Sequence, residues 1–190
     1  MNRIFIGIVA FILLMVTLVA ILSSGGSKKP AKTANGITLR LLPDYANTDA
    51  TVSMEIDGRV NGDESHRAVR VTIGRDQRDF QVIQGYSGRV IESKTFYNTQ
   101  PAYDVFLRAI RGGGFMSKLK NTKYSDDRGV CPLGDRYIFT LSENGDDLSR
   151  LWGSTCGTKV GTLGGSRSLL QQLFQAQIPD YNKLTAQTVL

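Results

Sequence analysis

Residues 4 to 22, IFIGIVAFILLMVTLVAIL, form an apolar run of 19 residues with no charge. At about 1.5 Å per helical residue the run reaches roughly 28 Å, close to the hydrocarbon thickness of a bilayer. It predicts a single-pass transmembrane anchor over Ile4–Leu22, within a segment 1–22. A cleaved signal peptide has a shorter apolar core and small residues before the cut, and the exit Ala20-Ile21-Leu22-Ser23-Ser24 lacks that pattern. Residues 23–36, SSGGSKKPAKTANG, have no apolar periodicity and read as a flexible basic linker. Residues 37–190 are left for one folded domain.

Within that domain the pattern first has a period of two. In TVSMEID (51–57), Val52, Met54 and Ile56 alternate with Ser53, Glu55 and Asp57, as in a strand buried on one face. Val69, Val71 and Ile73 repeat the pattern after the turn-forming RVNGDES. Phe80–Ile83 and Arg89–Phe96 read as further strands around the loop QGYSG, and Ile37–Leu42 as an extra edge strand. At Gln100-Pro101 the period lengthens: Tyr103, Phe106, Leu107 and Ile110 fall on one helical stripe, with Pro101 in the first turn and Asp104 near the positive end of the dipole. Gly112-Gly113-Gly114 stops this helix, and Phe115 can fold back on it. A second helix starts at Ser166, carries Leu169, Leu170, Leu173, Phe174 and Ile178, and ends at Pro179. The fold class is α+β: an antiparallel sheet, made of a meander and a C-terminal hairpin, packed with two helices. The tail Asp180–Leu190 reads as a short helix or a frayed end.

Charge changes the picture less than its total suggests. Of the 23 Lys and Arg, only Arg3, Lys28, Lys29 and Lys32 precede residue 33, and none of the 17 acids does, so the net +6 falls to +2 beyond that point. Zinc-finger spacing, a basic helix and aromatic RNA-binding motifs are all missing from the sequence, which predicts no nucleic-acid partner. KLKNTKYSDDR has a local positive balance, and its Lys118, Lys120, Lys123 and Arg128 mark a polar loop able to meet an anionic wall polymer or an envelope protein.

Candidate chemistry is sparse. His66, the single histidine, stands in turn-rich sequence before a strand and reads as an exposed or hydrogen-bonded residue. Neither glycine-rich stretch has the GxxxxGK[ST] or GxGxxG form; GGG follows its helix, and GTKVGTLGG is a flexible loop before the next one. The pairs Asp126-Asp127 and Asp146-Asp147 lie in turns, outside any calcium-loop pattern. No catalytic residue, cofactor or metal is expected.

Cys131 and Cys156 flank Asn144-Gly145, a pair suited to a two-residue type I′ hairpin turn. That turn would set Tyr137 opposite Trp152, Ile138 opposite Leu151 and Leu141 opposite Leu148, with Cys131 facing Thr158, two residues from Cys156. A disulfide there closes a loop of 24 intervening residues, worth roughly 3 kcal/mol. Two buried thiols, or a reactive or metal-binding pair, are the alternatives. A disulfide belongs to an oxidising compartment and puts the domain outside the cytoplasm. Lys28, Lys29 and Lys32 oppose that orientation under the positive-inside tendency, although long domains translocate largely regardless of charge.

Gly113, Gly114 and Phe115, then Cys131, Pro132 and Tyr137, then Cys156, follow one another between residues 100 and 176. In that order the chain resembles uncharacterised single-span, exported or membrane-tethered bacterial proteins. Their pattern is a meander, a helix, a GGF or FF turn, a strand of the form C-P/T-D-G-x-x-Y-x-L, a second Cys and a final helix. Leu133-Gly134-Asp135 departs from it. The resemblance implies a disulfide-pinned α+β domain and no catalytic residues. The architecture is also similar, at the level of fold alone, to small protease inhibitors of the cystatin or emfourin kind. The expected function is a membrane-anchored, non-enzymatic binding or structural module of the bacterial cell envelope. The alternative is an inhibitor of an extracellular protease acting through an exposed loop.

Overall fold

The computed structural model describes residues 39–188 and 190. The predicted anchor and linker lie outside the described residues, as do the first two positions of the proposed edge strand. Its remainder is no strand: Leu39–Leu41 have no regular structure, and Leu42–Tyr45 form a 3-10 turn that buries Leu42 and Tyr45. Pro43 lacks a backbone donor and Asp44 accepts from the Leu41 N–H at 3.1 Å, which favours a turn over a ladder.

Seven strands make one antiparallel sheet. β1 (Thr51–Asp57), β2 (Arg67–Ile73), β3 (Gln77–Gln84) and β4 (Arg89–Tyr97) form the meander; β5 (Arg136–Glu143), β6 (Asp146–Ser154) and β7 (Gly157–Gly161) follow the first helix. The order β4-β3-β2-β1-β5-β6-β7 makes β1 the centre. Meander and hairpin are therefore parts of one sheet, joined where Met54 pairs with Phe139 and Asp57 with Arg136. β7 was not expected; its glycines and lysine hide its strand character.

The period-two positions build the core. Val52, Met54, Val69, Val71, Phe80, Phe139 and Leu141 point to one face and are fully buried there. α1 (Gln100–Gly112) and α2 (Arg167–Gln175) cover that face. Tyr103, Phe106, Leu107 and Ile110 of α1 and Leu170 and Phe174 of α2 join the same cluster. Phe174 packs edge-on against Phe106 at 5.1 Å between centroids. Leu169 is largely exposed, so the apolar stripe of α2 is narrower than expected. A short α3 (Tyr181–Thr185) follows.

Thr99 caps α1 by accepting from the Ala102 N–H. Asp104 sits beyond the first turn, where Arg108 one turn on holds it at 3.0 Å. At the other end Phe115 is buried and its N–H donates to the Ile110 carbonyl at 3.1 Å, with Gly114 at φ 82° making the turn.

Asn144 and Gly145 both have positive φ, as a type I′ turn requires. The expected register survives only beside the turn, in Ser142–Asp147 and Glu143–Asp146. An irregularity next to Leu141 shifts the rest by one residue, so that Ile138 opposes Trp152, Phe139 opposes Leu151 and Leu141 opposes Ser149. The shift lets Leu151 reach the core while Trp152 turns to the opposite face.

Candidate binding surface

The second face of the sheet is polar around β1 and β2, where the outward positions are polar, while Ile138 and the buried Trp152 share it on β5 and β6. Ser53, Glu55, Thr72, Thr140, Ser142, Asp147 and Arg150 line a shallow open depression of about 400 Å³. Arg70 Nε donates to Glu55 at 2.7 Å across β1 and β2, and the Ser142 hydroxyl donates to Asp147 at 2.7 Å across the bulge. Hydroxyls and paired charges of this kind offer hydrogen bonds to a polar ligand without a desolvated pocket.

The segment 118–128 borders this face. It has no regular secondary structure beyond an isolated bridge between Lys118 and Leu163, yet it is held along its length. Leu119 N–H donates to the Thr162 carbonyl at 2.8 Å, and the Thr122 hydroxyl donates to the Gly161 carbonyl at 2.7 Å. Tyr124 packs edge-on against the buried Trp152. Asp127, itself buried, accepts from Arg150 at 2.8 Å. Asp126 pairs with Arg128, whose guanidinium and backbone N–H hold its carboxyl at about 2. The acids of the segment are thus occupied locally, while the side chains of Lys118, Lys120 and Lys123 stay at the surface. Arg150 lines both the sheet depression and a second depression under Ser125–Arg128, so the two form one continuous surface.

Cys131 and Cys156 are joined in a disulfide with Cα atoms 5.7 Å apart. It ties the end of this segment, just before β5, to the turn between β6 and β7. Gly134 has no room for a side chain there: a Cβ would stand 2.3 Å from Thr155 Oγ1 and 2.8 Å from Cys131 Sγ. The pairing leaves no thiol on either cysteine.

His66 is buried and hydrogen-bonded. Its Nε2 lies 2.8 Å from Asp57 Oδ1, its Nδ1 lies 3.3 Å from the Arg59 carbonyl, and its ring stacks on Tyr86 at 4.2 Å. Asp57 Oδ2 accepts from Arg136 at 2.6 Å, and the same nitrogen of Arg136 donates to the Gly58 carbonyl at 3.1 Å. This network joins the ends of β1, β2 and β5 under the loop carrying Tyr86. Sequence reasoning missed Asp57 and Arg136. Asp57 was legible as an outward strand residue, but His66 reaches it only through the turn into β2, and Arg136 only through the pairing of β1 with the distant β5.

Against known proteins, no family model matches this chain. No curated protein matches it either. The glycine-rich GTKVGTLGG, expected to be flexible, is instead a site of backbone contact: Gly164 N–H donates to the Ser117 carbonyl at 2.6 Å, and Gly165 lies against Gly113 and Gly114. Among the described residues no group of three or more His, Cys, Asp or Glu is arranged to hold a metal ion.

Proposed function

We propose that the protein is a single-pass, membrane-anchored binding module of the bacterial cell envelope, non-enzymatic, with its α+β domain outside the cytoplasm. The observation that carries this reading is the Cys131–Cys156 disulfide: such bonds persist in oxidising compartments. The charge-free run Ile4–Leu22 supplies the anchor. The oxidised sulfurs and a histidine engaged at both ring nitrogens support binding over catalysis. The contact surface is the pinned segment 118–128 with the polar sheet face beside it, and its three outward lysines suit an anionic polymer or an acidic protein of the envelope.

Thiol labelling of intact cells tests the reading. An impermeant maleimide is expected to label Cys131 and Cys156 only after reduction; free thiols reached only after lysis would overturn both compartment and staple. For the surface, in the domain 37–190 without the anchor, changing Lys118, Lys120 and Lys123 together to Gln is expected to lower co-sedimentation with purified envelopes and to weaken its salt dependence. Unchanged binding and salt response would remove the loop from the contact.

The protease-inhibitor reading draws on the same segment, because several fixed points hold it in one conformation before any partner arrives. Replacing 120–126 by a Gly-Ser linker would abolish inhibition of an extracellular protease under that reading.

A further inference from the structure

β4 is the outermost strand of the sheet on its side, nine residues long, and every residue from Arg89 to Thr95 is exposed. The helical layer stops short of it, so Glu92 and Lys94, on the helix-covered face by their pairing with Val82 and Phe80, stand in solvent. Among the described residues the outer ladder is open over a defined stretch. Asn98 N–H donates to the Asp76 carbonyl, and alternation from there directs the amides of Phe96, Lys94 and Glu92 toward β3 and those of Thr95 and Ser93 away from it. The next outward carbonyl, that of Tyr97, is taken by Arg78 at 2.7 Å. At the other end the strand is irregular at Ile91, the extra residue between the pairs Val82–Glu92 and Ile83–Val90.

Lysine on an edge strand normally guards it against pairing. Here the sequence around Ser93 cancels that guard against one partner only. Laid antiparallel on a second copy with Ser93 on the two-fold axis, Glu92 faces Lys94 and Lys94 faces Glu92, while Ile91 faces Thr95. Unlike charges then stand directly across the ladder, and the isologous two-fold contact makes the Glu92–Lys94 pair twice. A register shifted by two residues brings Glu92 opposite Glu92 or Lys94 opposite Lys94. We propose that β4 is a homodimerisation edge, pairing antiparallel with β4 of a second copy about Ser93 to make one sheet continuous through both domains. The pairing draws on neither the anchor nor the compartment.

The test is site-directed crosslinking of the full-length protein in mild detergent. In the proposed register Ser93→Cys puts two cysteines about 5.5 Å apart in Cα, within disulfide reach, and mild oxidation is expected to yield a covalent dimer. Thr95→Cys separates its two cysteines by about 13 Å along the strand and should give none. Sedimentation equilibrium supplies an independent reading: Glu92→Lys is expected to weaken the dimer by roughly tenfold, and adding Lys94→Glu to restore it. Equal crosslinking at both positions, a wild-type monomer throughout the concentration range, or a double variant no better than Glu92→Lys would overturn the proposal. Both charged side chains are exposed, so the variants test association without disturbing the core.

Discussion

Asp57 lies between His66 and Arg136, yet its carboxyl is pushed above the usual aspartate value because burial outweighs the pull of both neighbours. A folded-state pKa above the unfolded one means that the folded state takes up the proton first. The contribution of Asp57 to stability is therefore greatest below the unfolded value near 3.8 and declines as pH rises through the raised folded value. Carboxyl-carbon NMR titration should place the Asp57 midpoint above the ordinary range; a midpoint at or below it would show that Arg136 dominates. At neutral pH the carboxyl oxygens still matter, since Asp57→Ala would leave the guanidinium of Arg136, 5% exposed, without its side-chain acceptor. Urea unfolding is expected to show a loss of roughly 3 kcal/mol. An unchanged midpoint would mean that water reaches Arg136. Nothing in the local sequence of His66 announces this network, because Asp57 ends β1, Arg136 begins β5 and His66 stands in the turn before β2.

At the scale of elements, segment 118–134 is ordered by what it touches. It has neither strand nor helix periodicity, and its order comes from carbonyls of β7, from Trp152 and from the disulfide. Changing both Cys131 and Cys156 to Ala is expected to lower stability by about 3 kcal/mol, read by denaturant unfolding, and to open the segment to limited proteolysis. Retained resistance would assign its order to the Trp152 and Arg150 contacts and to the hydrogen bonds with Gly161 and Thr162. The glycines at the helix junction do similar work: a Cβ on Gly165 would stand 2.4 Å from the Gly114 carbonyl oxygen and 2.6 Å from that of Gly113. Gly165→Ala should cost about 1–3 kcal/mol, visible as a lower melting temperature, and a neutral result would mean that the two backbones can separate freely. A run of small residues reads locally as slack; close backbone approach gives the same composition for the opposite reason. The hairpin is a parallel case, since Asn144-Gly145 set the turn correctly and one irregularity beside Leu141 then changed every partner beyond it.

For the molecule as a whole, one cluster of buried side chains runs from Leu42 through the central strands to Ile178. The described domain should accordingly unfold in a single transition. Far-ultraviolet circular dichroism and the fluorescence of Trp152, the one tryptophan in the chain, are expected to report coincident midpoints, although Trp152 lies on the face away from that cluster. Separate midpoints would divide the sheet at the β1–β5 seam. The periods of two and 3.6 were enough to mark the strands β1 and β2, both main helices and the α+β class, because each is a local consequence of burying one side of an element. The unbroken apolar run at the N-terminus and the two cysteines were equally plain as composition. The placing of β5 beside β1, the covering of Trp152 and the gathering of Asp57, His66 and Arg136 belong to the tertiary structure. They depend on which distant strands pair and in what register, and that choice rests on the packing of the whole core rather than on any one stretch of chain.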